Sequence, residues 1–175
     1  MKNRKSAAPS AGKKKKAPDE KAENWEVRFE NFLSSPLATK ASQGLSDRIC
    51  IALHVEGEAY FFRRKKGENT LSRVDDAQPD VHFWVPLTTL RHLLSIAELP
   101  GTGIGTMGVS IFEHIFAQDE SKKIKFRVDS GFLNLWSKGY FSVLKAGGPE
   151  VASYLAKFGF DSLSRVKEVL KKVRK

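Results

Sequence analysis

Residues 49–55 alternate large apolar side chains with smaller or polar ones, and this period of two constrains the fold more than any other feature of the chain. Such a pattern is typical of a strand with one apolar face. A turn at Glu56-Gly57 and a returning strand over residues 59–64 complete a hairpin. An apolar face has to be covered by other elements, so the chain is expected to contain a sheet packed on one side. The apolar positions are Ile49, Ile51, Leu53 and Val55.

Three further strands are predicted. Residues 70–74 follow a charged turn that contains Gly67, residues 81–85 alternate Val81, Phe83 and Val85, and residues 124–128 alternate in the same way. The first four strands together favour an antiparallel meander. Residues 101–108 are predicted as a loop, and residues 140–144 as extended chain.

Helical spacing of apolar residues predicts helices near residues 25–35, 86–97, 109–116 and 147–158. Residues 132–136 fit a helix and a strand equally well. Because strands come first and helices follow, the sequence predicts an α+β fold with an antiparallel-rich sheet covered on one face by helices.

The formal charge of +10 is concentrated at the two ends of the chain. Residues 1–23 carry eight Lys and Arg against three acids, and residues 161–175 carry six against two. The body, residues 24–160, is about neutral and holds all 12 Phe, 3 Trp and 3 Tyr. We therefore predict a disordered basic tail over 1–23, a single domain over 24–160 and a basic amphipathic helix over 161–175.

The basic ends are candidates for contact with anions. A solvated tail without a partner, attraction to RNA or DNA, and contact with an anionic membrane surface all fit this composition. The neutral body shows no basic aromatic platform for nucleic-acid bases, so nucleic acid is expected to bind through the tails alone. The candidate residues are Lys13, Lys14, Lys15, Lys16, Lys171 and Lys172.

One cysteine, Cys50, excludes an intrachain disulfide and any CxxC metal site, and its place in an apolar strand favours a buried structural thiol. The sequence has no apolar stretch of the ~18–20 residues that a membrane span needs, and no apolar segment follows the basic N-terminus as in a signal peptide. A soluble cytoplasmic protein is expected.

No catalytic or metal-binding group is evident in the sequence. Residues 103–108 match GxGxxG, but the dinucleotide fingerprint follows a strand, whereas a predicted helix precedes these glycines. We interpret them as a connection between helices, with a mobile lid as the alternative. Asp75, Asp76 and Asp80 fit a polar turn. The histidines lack metal-ligand spacing, and neither an enzymatic activity nor a cofactor is predicted. They are His54, His82, His92 and His114.

Large apolar residues are abundant between residues 83 and 160, and the helix at 109–116 is apolar around most of its circumference. Core packing explains such residues, and so does a cavity or groove for an apolar ligand. The candidates for ligand contact in the later part of this region are Ile111, Phe112, Ile115, Phe116 and Trp136.

Two segments resemble the sterol carrier protein 2 domain. Residues 79–85 (PDVHFWV) and the Leu-rich helix after them are similar to a strand of the pattern Asp, apolar, any, apolar that precedes a helix ending in Leu-Leu. Residues 138–148 (KGYFSVLKAGG) and the helix that follows are similar to the last strand, turn and closing helix of that family. The resemblance covers roughly residues 25–158.

The resemblance implies an α+β fold in which helices cover the sheet over an apolar tunnel. It also implies binding of sterols, fatty acyl chains or other lipids without catalysis. The matching positions that would line the tunnel are Phe83, Val85, Leu90, Leu93, Leu94, Phe141 and Val143. The leading hypothesis is thus a non-enzymatic lipid-binding module, and the alternative is a nucleic-acid-associated protein that acts through its Lys-rich tails.

Overall fold

The computed structural model describes residues 24–160, and within them seven helices and five strands. The order along the chain is α1 (Trp25–Leu33), α2 (Pro36–Ala41), β1 (Ile51–Val55), β2 (Glu58–Lys65), β3 (Glu68–Ser72), β4 (Val81–Trp84), α3 (Leu87–Ala97), α4 (Ile104–Ile115), β5 (Lys125–Val128), α5 (Phe132–Ser137), α6 (Tyr140–Ala146) and α7 (Gly148–Ala156). The predictions for 1–23 and 161–175, with their six lysines, fall outside the described residues.

The five strands form one sheet in the order β3-β2-β1-β4-β5. β1, β2 and β3 make the predicted antiparallel hairpins, with positive φ at Gly57 and Gly67 in the two turns. The meander stops there, because β4 lies on the far side of β1 and runs parallel to it. The prediction that β4 continues the meander is therefore wrong, since residues 73–80 carry the chain back across the sheet.

One face of the sheet is covered by helices, as predicted. Its strand residues contribute to a large apolar cluster with α1, α3 and α4 and to a small apolar cluster with α5 and α6. The buried members of the large cluster are Trp25, Leu53, Val55, Tyr60, Val85, Leu90, Leu93, Leu94, Met107 and Ile124. Those of the small cluster are Val81, Val128, Leu135 and Phe141. The α+β fold is confirmed.

Helix α4 begins at Ile104, so most of the segment predicted as a loop is helical. Gly105 and Gly108 lie in this helix where it meets α7. A Cβ on Gly105 would come within 2.9 Å of the Gly147 carbonyl oxygen, and one on Gly108 within 2.6 Å of a Val151 methyl carbon. The glycines thus allow two helices to pack closely. The glycines follow helix α3 and not a strand, which agrees with our interpretation that they do not form a dinucleotide site.

Residues 140–144 are helical, so the prediction of extended chain there is wrong, and Phe141 and Val143 lie in α6 rather than in a last strand. The ambiguous segment 132–136 is the helix α5. Gly139 joins these two helices with a φ of 85°, which suits glycine. Phe141 and Leu144 are three residues apart and therefore face the small cluster together from α6.

The helices α1 and α3 occur where the sequence predicts them. A further helix, α2, was not predicted: the Ser35 side chain accepts a hydrogen bond from the Ala38 N–H and Pro36 stands in the first turn. Its six residues are too few to show a period. Together α1 and α2 form a corner above the end of β2, where Asn69 and Ser42 are hydrogen bonded.

Candidate functional site

The helix-covered face of the sheet has two apolar clusters instead of one, and a strip of half-buried side chains lies where they meet. Phe83 packs against both clusters. Its neighbour across β4 and β5 is Phe126, with the ring centroids 6.2 Å apart. We call Phe83 and Phe126, together with the flanking half-buried residues Ile111 and Ile115 of α4 and Phe132 and Leu144 of α5 and α6, the seam.

The seam is apolar and incompletely closed. Its two strand residues, Phe83 and Phe126, face the helix layer, and all six seam side chains keep part of their surface accessible, unlike the buried residues beside them. A well-packed core normally buries such aromatic residues fully. The strip therefore offers an apolar floor on which an elongated hydrocarbon could lie.

The structure divides the predicted lipid-contacting residues among different surroundings. Val85, Leu90, Leu93 and Leu94 are buried in the large cluster, and Phe141 is buried in the small one. Phe83, Ile111 and Ile115 belong to the seam. Phe112 stacks on Phe116 of the same helix, and Phe116 stacks on Phe158 with centroids 4.4 Å apart. Val143 is half-buried in α6.

Trp136 differs from the other candidates because 49 % of its surface is exposed, although its ring contacts Phe132 and Phe141. Leu133, one turn earlier in α5, is 81 % exposed. Helix α5 thus carries an apolar tip outside the seam.

Two depressions that the structure shows are lined mainly by polar residues, each with one proline, and by none of the predicted lipid-contacting residues. One encloses about 260 Å³ beside Asp80, and the other about 540 Å³ beside Arg64. Arg64 and Asp80 were therefore missed as site residues. The only sequence signal for Arg64 is a cation at a position of β2 that shares the apolar face with Tyr60 and Phe62.

Asp80 is the centre of a buried hydrogen-bond network, and the interpretation of it as an ordinary turn residue is wrong. It is 1 % exposed. One carboxylate oxygen, Oδ1, accepts from the Lys138 ammonium at 2.6 Å and from the Ser130 hydroxyl at 2.5 Å. The other, Oδ2, accepts from the Tyr140 hydroxyl at 2.9 Å and from the Cys50 backbone N–H at 3.1 Å. The network joins the residues just before β1 and β4 to the residues that flank α5 and to the start of α6.

The protonation states in this network follow from its contacts. Burial acts to raise the pKa of Asp80, but hydrogen bonds from Lys138, Ser130, the Cys50 N–H and Tyr140 outweigh it and hold that pKa below the usual range. Burial and the Asp80 charge raise the pKa of Tyr140. Burial, followed by the charge of Asp75, raises the pKa of the Cys50 thiol, which is buried as predicted. Asp80 is thus held as an accepting carboxylate and Tyr140 as a donating hydroxyl, and we expect the network to anchor the fold.

The opposite face of the sheet carries a chain of hydrogen-bonded imidazoles. His54 Nε2 lies 3.0 Å from His82 Nδ1, and His82 Nε2 lies 3.1 Å from an Asp129 carboxylate oxygen. In a neutral His82, an Nε2–H that donates to Asp129 leaves Nδ1 to accept a hydrogen bond from His54 Nε2–H. The His54 ring also stacks on Trp84 at 4.8 Å. These histidines are hydrogen bonded, as the sequence interpretation expected, although it did not predict their pairing.

The same face brings Trp84 and Arg127 together, with the guanidinium 5.7 Å from the ring centroid. However, Arg127 is paired with Asp129 and the neighbouring Lys125 with Glu120, so the local charge is balanced. A balanced surface gives a polyanion little net attraction.

Acid is expected to weaken the fold through His54. Burial, and then the charges of His82 and Arg127, lower the pKa of His54. Its contribution to stability is therefore complete above the unfolded value of about 6.5 and is lost as pH falls through the lower folded pKa. Urea unfolding measured from pH 8 to pH 5 should show this loss in the wild type and a flatter profile in His54→Gln. Parallel profiles for the two proteins would contradict this assignment.

Among residues 24–160, no three His, Cys, Asp or Glu side chains are grouped so that they could hold a metal ion. Within the same range, no helix has the length and apolar character to cross a bilayer.

Comparisons with known proteins add one structural neighbour. No family model matches the chain, and no curated protein matches it. A solved structure described as "UbiJ-SCP2 Ubiquinone synthesis protein" is similar with a TM-score of 0.39 and 12 % sequence identity, over 70 % of this chain and 90 % of that chain.

Proposed function

We propose that this protein binds an apolar ligand, such as a fatty acyl chain, a sterol or another lipid, along the seam. The observation that carries the proposal is the pair Phe83 and Phe126. Both face the helix layer and both stay half-buried; Phe83 packs against the two apolar clusters, and Phe126, beside it on β5, packs against the small one. The resemblance of residues 79–85 and the following helix to the sterol carrier protein 2 domain supports the same ligand class.

The energetics favour an elongated hydrocarbon. Each Å² of apolar surface removed from water contributes about 25 cal/mol. An acyl chain that covers the seam would therefore gain affinity by burying the exposed parts of the seam side chains. Ile111 and Ile115 on one side and Phe132 and Leu144 on the other are apolar, and so they would contact the chain along its length.

The proposed role is binding or carriage without catalysis, in the cytoplasm. The seam consists of hydrocarbon and aromatic side chains, which supply no acid, base or nucleophile. Asp80, three residues before Phe83, is fully engaged in its own network. A single buried cysteine suits a reducing compartment.

Peripheral contact with an anionic membrane belongs to the same proposal. Leu133 and Trp136 are exposed on α5, which also contributes to the seam, and Leu and Trp side chains are favoured at the bilayer interface. A ligand could then pass between the membrane and the seam beside this helix.

The test is a titration of the full chain with a fluorescent fatty acid, and with a fluorescent sterol in parallel. Phe126→Glu places a carboxylate in the seam on the edge strand β5. We expect it to weaken binding of the apolar probe at least about tenfold, because a charge in contact with hydrocarbon is costly. Circular dichroism and thermal unfolding check that the variant is folded.

Leu133→Glu is the matched control, since it adds the same charge at an exposed apolar position outside the seam. It should retain affinity for the soluble probe within about twofold. Unchanged affinity in a folded Phe126→Glu variant would refute the seam as the site. Failure of the wild-type chain to bind either probe, together with the absence of lipid in an organic extract of the purified protein, would refute the proposed function.

A further inference from the structure

Arg64 is a buried cation without a carboxylate partner. Only 8 % of the residue is exposed, and it lies on the helix-covered face of β2, opposite Asn69 of β3, below the corner of α1 and α2. Its Nη1 donates to the backbone oxygen and to the hydroxyl of Ser42. Within residues 24–160, no acidic side chain lies within ion-pair distance of it.

A buried guanidinium normally has an anionic partner, because taking the charge out of water is costly and a neutral carbonyl compensates only in part. Ser42 is the residue that caps the C-terminal end of α2. Its two contacts with Arg64 involve only the Nη1 nitrogen of the guanidinium. The other two nitrogens, Nε and Nη2, form no hydrogen bond with the described part of the chain.

These two nitrogens are not sealed off. In residues 24–160, Nε of Arg63 is the side-chain nitrogen or oxygen that is both fully buried and without a hydrogen bond. In the same part of the chain, Nε and Nη2 of Arg64 also lack a hydrogen bond but are not fully buried. Solvent therefore reaches the free donors of Arg64. The route is the depression of about 540 Å³ that Arg64 lines together with Ser34, Pro36, Thr39, Lys40 and Gln43.

The walls of this depression, which we call the corner cavity, favour an anion. Lys40 adds a second cation, and no acid is among the lining residues. The side chains of Thr39 and Gln43 form no hydrogen bond with residues 24–160, so their donors are available as well. Two cations and several neutral donors thus line the same depression.

We propose that the corner cavity binds a phosphoryl group. A guanidinium presents two parallel N–H donors that match two oxygens of a phosphate, and an ammonium beside it binds a third as a point charge. The cavity has room for more than the phosphoryl group itself, so a phosphomonoester is accommodated. The phosphoryl group comes either from a free metabolite or from a lipid headgroup, and the experiment separates these sources.

The binding test uses isothermal titration calorimetry of the full chain with inorganic phosphate and with glycerol 3-phosphate. Vesicle flotation compares phosphatidylcholine vesicles with and without phosphatidic acid. Binding to the soluble phosphates alone identifies a free phosphate ligand, whereas binding to phosphatidic acid vesicles identifies a headgroup. No binding in either arm would overturn the proposal.

Lys40→Gln is the first variant, because this exposed side chain can be changed without disturbing the core. Arg64→Gln is the second. We expect the dissociation constant to rise several-fold in Lys40→Gln and about tenfold or more in Arg64→Gln, as for hydrogen bonds to a charged group. The matched control is Lys65→Gln, which removes the same charge from the adjacent exposed residue on the other face of β2.

Lys65→Gln should bind within about twofold of the wild type. Equal weakening in Lys65→Gln and Lys40→Gln would mean that affinity follows net charge alone, and this result would overturn the site. Unchanged affinity in Lys40→Gln and in a folded Arg64→Gln variant would do the same. The Phe126→Glu variant should bind phosphate normally, so failure of the seam and failure of the corner cavity are distinguishable.

Discussion

Asp80→Ala is expected to destabilise the folded protein by about 3–5 kcal/mol, which is the usual cost of removing one partner of a buried ion pair. The Lys138 ammonium would lose its carboxylate, and the Tyr140 and Ser130 hydroxyls and the Cys50 N–H would lose their acceptor. The melting temperature should fall by roughly 10–20 °C for a domain of this size. Urea unfolding followed by tryptophan fluorescence measures the loss.

Asp76→Ala is the matched control, because Asp76 lies in the same connection but is exposed. It should change stability by less than about 0.5 kcal/mol. The double variant Asp80→Ala with Lys138→Met removes both charges and should recover part of the loss, since no uncompensated buried charge remains. If Asp80→Ala proves as stable as Asp76→Ala, the network does not anchor the fold.

The pH dependence of this anchor has a definite sign. Because the folded pKa of Asp80 is lowered, its contribution is present above the unfolded value of about 3.9 and is lost as pH falls through the folded value. The loss from Asp80 therefore begins only below about pH 3.9, whereas the loss from His54 begins below about pH 6.5.

Gly139→Ala is expected to cost about 2–5 kcal/mol, from two sources that act together. A φ of 85° disfavours any residue with a Cβ, and that Cβ would collide with the carbonyl group of Gly44 and come within 3.3 Å of the Leu45 Cα. Both neighbours are backbone atoms, which cannot rotate away. Because Gly139 joins α5 to α6, the variant should also weaken binding of the apolar probe at the seam.

Gly101→Ala separates the two sources. Gly101 has nearly the same φ, 82°, but a Cβ there would meet nothing within 4 Å. Only the conformational cost of about 1–2 kcal/mol should remain. Thermal unfolding measures the stability that each variant loses, and the difference between the two losses gives the steric contribution at Gly139. If Gly139→Ala and Gly101→Ala lose equal stability, the close approach of Gly139 to Gly44 has no energetic weight.

Local patterns determine the parts of this fold that the sequence predicts well. The alternation in β1, the turn at Glu56-Gly57 and the apolar spacing of α3 each depend on neighbouring residues, and each element is found where it was expected. The burial of Cys50 and the coverage of one sheet face follow from the same alternation. These features need no knowledge of distant contacts.

The failures have tertiary causes. Glycines at 105 and 108 are poor helix formers, and only the close packing of α4 on α7 explains why they are helical. In α6 the residues Tyr140, Phe141, Val143 and Leu144 satisfy helical and extended spacing alike, and contact with the small cluster decides between them. The parallel pairing of β4 with β1 depends on the path of residues 73–80, which carries no periodic signal.

The candidate sites show the same division. The sequence predicted Phe83, Ile111 and Ile115 as ligand contacts because they are large and apolar, but it could not distinguish the seam from the core, which takes Leu90, Leu93 and Leu94. How deeply a side chain is buried depends on how the helices pack over it, and residue type alone does not determine it. The corner cavity was missed because Arg64 lies in a run of charged residues, and such a run is typical of a solvated turn. Only the structure shows that Arg64 is buried and has no acidic partner within residues 24–160.

The Asp80 network also has a consequence for folding during synthesis. Its side-chain donors lie 50 to 60 residues further along the chain, at Ser130, Lys138 and Tyr140. A nascent chain that has emerged from the ribosome only as far as β4 holds this carboxylate without any of them. The Asp80 network therefore cannot form until α5 and the start of α6 are outside the exit tunnel.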